Sequence, residues 1–348
     1  MKSQPIPNTN QGYVRVRLWL VFDVSDVYSE WIEVKYGVPQ GSVLGPILFN
    51  IFINDLFYVI EKSTLYNYAD DNTMAHSKNN ITDLNCELQT DVTNTTKWFD
   101  ANGFKVNHDK FQCMAFGKLS DYIQFKVHET TIIPSKSVKI LGIMIDDKLN
   151  FHEHVSDICK KAARQLNVLK RLHKHLNLDS RLAIFRCYIL ANFNYCPIVW
   201  HFCSIEQTRL IEKIQERALR FVYDDFTSPY EMLMKKGNHH SLYLGRLRNI
   251  ALEVYKLLND HSPSYIKDLI TVKNSGYKLR NDIILNQPKC KTVTYGLNSF
   301  SYKGPKIWNN LPSHMKHAIS LDEFKQMMKT LSGPNCLCNM CTKMLHST

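Results

Sequence analysis

The pattern of hydrophobic and polar positions divides the chain into a first part with strands and a later part that is helical. Val14, Val16 and Leu18 alternate with polar residues inside the stretch 13–34, and this period of two predicts short strands. An apolar segment then begins at Pro46. Proline is favoured at the first position of a helix, and a helix with so few polar positions is predicted to be buried.

Turn residues and shorter apolar segments follow this helix. We predict a turn at Asp70 and Asp71 between two short strands, and then a helix over 81–102. Three further strands are predicted at 112–116, 123–127 and 139–145. The first part of the chain is therefore predicted to be an α+β domain.

From Phe151 onward the period of the apolar positions is helical. Apolar residues recur three or four positions apart at Val155, Ile158, Ala162, Leu166, Leu169 and Leu172. Basic residues fill much of the remaining surface at Lys160, Lys161, Arg164, Lys170, Arg171 and Lys174. Further helices are predicted over 180–191, 204–222 and 242–259, and Ser204 with Gln207 forms a capping-box pattern at the start of the second of these.

These changes of pattern predict five segments. They are a divergent N-terminal segment at 1–34, an α+β core at 35–147, a basic helical domain at 148–262, a mixed C-terminal region at 263–330 and a Cys-rich tail at 331–348. No repeat of fixed period runs through them, so the chain is not predicted to be a solenoid.

The composition narrows the range of partners. The 348 residues include 43 lysines and arginines against 32 aspartates and glutamates, which gives a net charge of +11 and a pI near 9.0. Such a surplus favours a polyanionic partner, a nucleic acid before a membrane. No apolar run has the length of a membrane span, and the ten cysteines are mostly single, as reduced thiols are. We expect a nuclear or cytoplasmic protein with no membrane partner.

Asp70 and Asp71 are the first candidates for chemistry, in the stretch NYADDNT. Adjacent carboxylates repel each other, and on a regular strand they would point to opposite faces. At the tip of a tight hairpin both can approach one metal site, where Mg²⁺ removes the repulsion. An Asp-Asp-Asn sequence is also explained by its preference for polar turns. These residues by themselves therefore leave open whether the stretch is a metal site or only a turn.

A second motif, YGVPQGSVLGPILFNIFINDL, precedes the aspartates. Its Gly-x-Pro-Gln-Gly-Ser loop leaves the backbone open to close approach by a nucleotide and offers one amide side chain, Gln40. Together with the aspartates, this motif resembles the reverse transcriptase domain of LINE-type non-LTR retrotransposons. The stretches GFKVNHDKFQCMAFG, VKILGIMIDDKLNF and SFSYKGPKIWNNLP are similar to later segments of that family, so the resemblance covers nearly the whole chain.

The resemblance implies an RNA-directed DNA polymerase, a nucleotidyltransferase that acts on an RNA template, a DNA primer and dNTPs. The implied fold is α+β, with a polymerase palm and its antiparallel sheet at 35–147 followed by an α-helical thumb at 148–262. The resemblance also implies that Asp70 and Asp71 are the catalytic residues and bind two Mg²⁺ ions, with Asp70 as the more direct metal ligand.

Other positions of the chain match further functional segments of the family. Contacts to dNTP and template are implied for Pro39, Gln40, Gly41, Tyr68 and Lys110. A primer grip is implied for the hairpin that turns at Leu141 and Gly142. Read from the residues alone, Tyr68 can also be a packing aromatic, as Trp98 can, and Lys110 can be a solvated loop lysine.

A polymerase of this family needs a third carboxylate, on a strand ahead of the Pro-Gln-Gly loop. VFDVSDV offers Asp23 or Asp26, but the 13 residues between Asp23 and Gly37 are too few for the helix and strand expected there. We therefore expect a truncated chain with the fingers largely missing and an incomplete metal site, inactive in isolation. The alternative is a non-enzymatic nucleic-acid-binding protein derived from such an element.

The C-terminal stretch CLCNMCTKMLH contains four soft ligands, Cys336, Cys338, Cys341 and His346. These ligand types suit tetrahedral Zn²⁺, but their spacing differs from that of common zinc fingers, so a zinc site and free thiols both stay open. Four other histidines are predicted to be surface residues rather than ligands. They are His152, His154, His239 and His240.

Overall fold

The computed structural model describes residues 41–117, 122–273 and 283–330, together with Gly37 and the backbone of four strands between positions 18 and 34. Two compact units divide the chain. The first consists of Met1–Phe111 and Tyr122–Ile132, and the second of Gln112–Asp121 and Ile133–Thr348. Helices and small antiparallel sheets occur in both units, which confirms the α+β prediction.

Four short strands open the first unit. They are β1 (Leu18–Leu20), β2 (Asp23–Val24), β3 (Val27–Tyr28) and β4 (Ile32–Val34). β1 pairs antiparallel with β4, and β2 pairs antiparallel with β3, one pair inside the other. From Leu18 onward the predicted strands are present as nested hairpins, while Val14 and Val16 lie outside the described residues. Asp23 lies in β2, and Asp26 lies outside the described residues.

Helix α1 (Gly45–Ile53) begins as predicted, with proline in its first turn, but the prediction that it is buried is wrong. Ile47 is 53% exposed and Ile51 is 67% exposed, whereas Ile53 is 3% exposed. A continuous apolar sequence therefore packs along one side only, and its other side is exposed. Exposed apolar surface of this kind is typical of an interaction site or an aggregation-prone patch.

We expect the double variant Ile47→Lys, Ile51→Lys to stay folded and to associate less than the original chain. The two residues lie one turn apart on the exposed side of α1, so charges there cost little desolvation and interrupt the apolar patch. Light scattering over a concentration series, with circular dichroism as the folding check, measures the effect. Ile53→Lys is the matched control and should destabilise the first unit, since it places a charge in a buried position. Equal association of the double variant and the original chain would contradict the prediction.

The rest of the first unit is a hairpin beside a long helix. Strands β5 (Thr64–Tyr68) and β6 (Asp71–Ala75) are joined at the predicted aspartate turn. Helix α2 (Ile81–Ala101) follows at the predicted place, and the Asn80 side chain accepts a hydrogen bond from the Thr82 amide at its start. A second hairpin, β7 (Phe125–Val127) with β8 (Thr130–Ile132), completes this unit.

The second unit opens with irregular backbone and a hairpin. The strand predicted at 112–116 is wrong: this stretch makes isolated bonds, such as Ser135 N–H to Cys113 O at 2.8 Å, in place of a ladder. The strand predicted at 139–145 is instead two strands, β9 (Ser137–Ile140) and β10 (Ile143–Asp146). Their turn falls at Leu141 and Gly142, with φ of 45° and 85°, because positive φ at both central residues suits the twist of a two-residue hairpin.

Helices make up most of the second unit, in good agreement with the predicted periods. They are α3 (His152–Leu172), α4 (Leu178–Ile184), α5 (Ala191–Asn194), α6 (Pro197–Trp200), α7 (Ile205–Tyr223), α8 (Tyr230–Lys236), α9 (Leu242–Leu258), α10 (Phe300–Asn309), α11 (Ser313–Lys316) and α12 (Leu321–Thr330). A π-helical segment, Phe185–Leu190, joins α4 to α5. The capping box at the start of α7 is present, with both bonds between Ser204 and Gln207.

Two hydrophobic clusters hold this unit together. One packs the inner faces of α3 and α7 around Leu166, Leu219 and Trp200. The other joins α9 to α10 and α12, where the rings of Tyr255 and Phe324 stack with centroids 4.5 Å apart. No described helix is both long and apolar enough to cross a membrane.

The second unit also corrects one histidine prediction. His154 is 5% exposed, and its Nδ1 accepts a hydrogen bond from the Met144 amide at 3.4 Å. Burial lowers the pKa of His154, so the neutral ring serves as a core acceptor. It lies on the same inward face of α3 as Val155, and for that reason it is not a surface residue.

Candidate active site on the β5–β6 hairpin

Asp70 and Asp71 lie at the end of the β5–β6 hairpin. Tyr68 pairs with Asp71 across the ladder, so the loop consists of Ala69 and Asp70 alone. Ala69 adopts a φ of 53°, in the left-handed region that costs a residue with a Cβ about 1–2 kcal/mol. Asp70 thus occupies the loop and Asp71 begins β6, so the alternation of a regular strand does not apply between them.

The side chains of two asparagines next to the loop donate hydrogen bonds to its backbone carbonyls. Asn67 Nδ2 donates to Asn72 Oδ1 at 2.7 Å and to Ala69 O at 3.0 Å. In return, Asn72 Nδ2 donates to Asp70 O at 3.2 Å. These side chains stabilise the strained tip, because they satisfy carbonyls that the two-residue loop leaves without ladder partners. The sequence analysis missed this role, although asparagines placed symmetrically about a turn were a visible signal.

The hairpin has one covered face and one open face. Leu65, Asn67, Asn72 and Met74 are partly buried, while Asp71 lies on the opposite face. The neighbours of Asp71 there are aromatic, with Tyr66 54% exposed and Tyr68 68% exposed. Tyr68 is therefore not a packing residue. The open face presents one carboxylate beside two aromatic rings that are free to contact a ligand.

The carboxylate oxygens of Asp70 and Asp71 are ligands of the type that a hard cation binds. Carboxylate oxygens are the ligands that Mg²⁺ takes from proteins, together with its own waters and substrate phosphates, and both aspartates are exposed enough to leave room for these. Among the described residues, however, no group of three or more His, Cys, Asp or Glu side chains could hold a metal ion. The hairpin therefore fits a metal as a partial site with two ligands.

The glycine loop ahead of α1 is described at two positions. Gly37 and Gly41 have φ of 85° and 82°, with open space where a Cβ would lie. Glycine is therefore needed there for its backbone conformation rather than to avoid a neighbour. The Ser42 hydroxyl accepts a hydrogen bond from the Gly45 amide at 3.0 Å and so leads the loop into the helix. Pro39 and Gln40 lie outside the described residues.

The remaining predicted positions fall in both units. Lys110 is exposed at the end of a short 3₁₀ turn in the first unit. Leu141 and Gly142 form their turn in the second unit, where the Tyr195 hydroxyl donates to Leu141 O at 2.7 Å. Trp98 packs against other aromatic rings, at 6.0 Å from that of Phe52, which confirms its packing role. Cys336, Cys338, Cys341 and His346 lie outside the described residues.

Asp91 of α2 is a buried carboxylate that the sequence analysis did not single out. It is 0% exposed, and it accepts hydrogen bonds from the backbone amides of Glu61, Lys62 and Ser63, the last at 2.6 Å. Burial by itself raises the pKa of Asp91, but the bonds from these amides outweigh it and lower the pKa below the ordinary 3.8. Asp91 thus stays ionised and ties α2 to the segment that leads into β5.

We expect Asp91→Asn to weaken the attachment of the segment leading into β5 to α2 by about 1–3 kcal/mol at pH 7, because charge-assisted bonds to three amides are lost. Since the pKa of Asp91 is lower in the folded state, its stabilisation is complete above pH 3.8 and is lost as pH falls through the folded value. The difference between the variant and the original chain should therefore narrow below that pH. Hydrogen exchange of peptides over residues 61–73 at a series of pH values measures it, and a difference that stays constant down to pH 2 would contradict the assignment.

A second charged surface lies on α3. The inner face of this helix buries Val155, Ala162 and Leu166, while Lys160, Lys161 and Arg164 are exposed. A second group further along the helix and just beyond it is exposed as well, at Lys170, Arg171 and Lys174. Asp157 lies 3.7 Å from Lys160, an exposed pair of small energetic weight. The outer face of α3 is therefore strongly positive.

Comparison with known proteins identifies the first part of the chain. Residues 3–145 match the family described as reverse transcriptase (RNA-dependent DNA polymerase), and this range contains both the glycine loop and the aspartate hairpin. The match indicates a reverse transcriptase domain at residues 3–145. This agrees with the resemblance to LINE-type non-LTR retrotransposons found in the sequence, because the relatives are named as RNA-directed DNA polymerases of a transposon and a mobile element.

The relatives are proteins of insect transposons. The chain is 28% identical over 227 residues to the probable RNA-directed DNA polymerase from transposon BS of Drosophila melanogaster. This alignment covers 62% of this chain and 25% of the relative. It is 27% identical over 281 residues to the RNA-directed DNA polymerase from mobile element jockey of the same species, and this alignment covers 75% of this chain and 30% of the relative. The retrovirus-related Pol polyprotein from type-1 retrotransposable element R1 2 of Nasonia vitripennis is 26% identical to this chain over 177 residues. This alignment covers 47% of this chain and 43% of the relative. The chain thus spans less than half the length of these relatives, and no solved structure matches it significantly.

Proposed function

We propose that the chain forms the palm and thumb of an RNA-directed DNA polymerase, with the β5–β6 hairpin as its metal-binding element. The observation that carries the proposal is the exposed carboxylate pair at a two-residue turn, inside the region that matches the reverse transcriptase family. The proposed substrates are an RNA template, a DNA primer and dNTPs, which are the classes that the names of the relatives imply. The proposed location is the nucleus or the cytoplasm.

In this proposal Asp70 and Asp71 hold Mg²⁺, which when bound would activate the primer hydroxyl and stabilise the leaving phosphates. Tyr68 supplies an exposed ring beside them for stacking against a base or sugar. The positive φ of Gly41 keeps the loop backbone accessible, and Pro39, Gln40 and Lys110 are assigned to dNTP and template by family resemblance. Leu141 and Gly142 form the proposed primer grip, on a turn whose carbonyl is held by Tyr195. The basic face of α3 binds the nucleic-acid backbone.

The second candidate is a non-enzymatic nucleic-acid-binding protein of the same fold. It is favoured by one observation, namely that the described residues bring no third metal ligand together with the aspartates. Primer extension after a third carboxylate is supplied by fusion separates the candidates, because extension then appears only if Asp70 and Asp71 still serve as metal ligands, whereas binding needs only the basic face of α3. The Cys336, Cys338, Cys341 and His346 set stays a proposed Zn²⁺ site.

A further inference from the structure

The position of the aspartate hairpin depends on contacts at its base, where each of its two strands meets α2. A two-stranded hairpin is marginally stable by itself, and this one has a strained residue, Ala69, at its tip. Within the strands, β6 contacts α2 where Thr95 Oγ1 donates to Met74 Sδ at 3.9 Å. What holds the two ends of the hairpin therefore decides where Asp70 and Asp71 lie.

The end that leads into β5 is held by Asp91. Three consecutive amides, those of Glu61, Lys62 and Ser63, converge on this one carboxylate at 3.0, 3.1 and 2.6 Å. Such an arrangement of successive N–H groups is a backbone anion-binding concavity, here filled by a side chain from the neighbouring helix. Because β5 begins at the next residue, Thr64, the start of the strand is fixed to α2.

The end that follows β6 is held by Glu87. Its Oε2 lies 2.9 Å from His76 Nε2 and its Oε1 lies 2.9 Å from Lys78 Nζ, and β6 ends one residue before His76. The His76 side chain is 6% exposed, so this contact is largely shielded from water. The bond from Lys78 lowers the pKa of Glu87 and keeps it ionised.

Glu87, Asp91 and Thr95 are spaced four residues apart, so they lie on successive turns of one face of α2. We propose that Glu87 and Asp91 are positioning residues that fix both ends of the β5–β6 hairpin and thereby hold Asp70 and Asp71 where the metal binds. The inference rests on the proposed function for the role of the aspartates. An ångström of misplacement in a catalytic group can cost about a hundredfold in rate, so such anchoring has direct consequences for the site.

The test uses the full chain and the variants Asp91→Asn and Glu87→Gln. Asp83→Asn is the matched control, because Asp83 is exposed in the first turn of the same helix and loses the same unit of charge. Hydrogen exchange followed by mass spectrometry should show peptides over 66–73 exchanging about tenfold faster in both variants, which corresponds to about 1.4 kcal/mol. The second half of α2 and the helices of the second unit should be unchanged, as should every peptide in the control.

Mn²⁺ alone serves as the probe of the metal site, with free Mn²⁺ measured by electron paramagnetic resonance. The binding that disappears in Asp70→Ala, Asp71→Ala is that of the hairpin, and Asp91→Asn and Glu87→Gln should weaken it about tenfold or more, because ligands that are positioned less firmly bind a metal more weakly. A purely structural role would accelerate exchange throughout the first unit, and that result would overturn the proposal, as would acceleration confined to residues 61–63. If Asp91→Asn fails to fold, Glu87→Gln decides the question. Absence of hairpin-specific Mn²⁺ binding in the original chain would count against the proposed function, while the exchange data would still decide whether the anchors hold the hairpin.

Discussion

Purified residues 1–348 are expected to extend no primer above background on poly(rA)–oligo(dT) with dTTP and Mg²⁺ or Mn²⁺. Two-metal catalysis needs carboxylates that bridge the ions, and the 13 residues between Asp23 and Gly37 are too few for the helix and strand that would place a third carboxylate beside Asp70 and Asp71. With so few ligands, Mg²⁺ keeps its waters and binds weakly. Activation of the primer hydroxyl and clamping of the phosphates are then lost, each worth several kcal/mol. At about 1.4 kcal/mol per tenfold, turnover falls by many decades.

The matched gain-of-function experiment fuses the chain to upstream reverse transcriptase sequence of a relative that supplies the third aspartate. Extension should then appear, and Asp70→Ala should remove it, whereas the exposed Asp83→Asn should not. Denaturing gels of labelled primer resolve single-nucleotide additions and so detect even weak activity. If the chain alone extends primer, and Asp23→Ala but not Asp26→Ala abolishes that activity, the expectation of an incomplete site is wrong and β2 carries the missing carboxylate.

The basic face of α3 should dominate binding to a primer–template duplex. Affinity is expected to fall steeply with salt, since each phosphate contact releases condensed counterions. The triple variant Lys160→Glu, Lys161→Glu, Arg164→Glu removes three such contacts, which should reduce the slope of log K against log salt by about 2–3. At low salt its affinity should fall by well over tenfold, because the new carboxylates also repel the phosphates. Fluorescence anisotropy with a labelled duplex, between about 50 and 200 mM salt, measures both quantities.

A second triple variant controls for net charge. Lys291→Glu, Lys325→Glu and Lys329→Glu change the charge of the same unit by the same amount at exposed positions away from α3. This variant should keep nearly the original slope, since contacts rather than total charge set the number of released counterions. Equal reductions of affinity and slope in the two triple variants would mean that the net charge of the chain, rather than the basic face of α3, determines binding. An affinity that does not depend on salt would exclude binding of α3 to the phosphate backbone.

Features that depend on neighbouring residues in the sequence were predictable. The turn at Asp70 and the capping box at Ser204 follow from local rules of turn and cap chemistry, and the structure has both at the predicted place. The turn at Leu141 and Gly142 was implied by the family resemblance, whereas the local pattern predicted one strand through it. Helices α2, α3, α7 and α9 likewise follow from the period of their apolar residues. The chemistry proposed for the aspartates came from the resemblance of this stretch, together with the loop motif, to the reverse transcriptase family.

The tertiary structure alone decided which surfaces and polar groups are covered. Apolar α1 turned out half exposed, and His154 turned out buried, because burial depends on which elements pack against a residue rather than on its own pattern. Asp91 looks in the sequence like any helical aspartate, yet its amide partners lie about 30 residues earlier in the chain. A contact between segments so far apart is created by packing, and no local periodicity encodes it. The aspartates proposed for the chemistry could therefore be recognised in the sequence, whereas the contacts of Glu87 and Asp91 with the two ends of the hairpin could be recognised only in the tertiary structure.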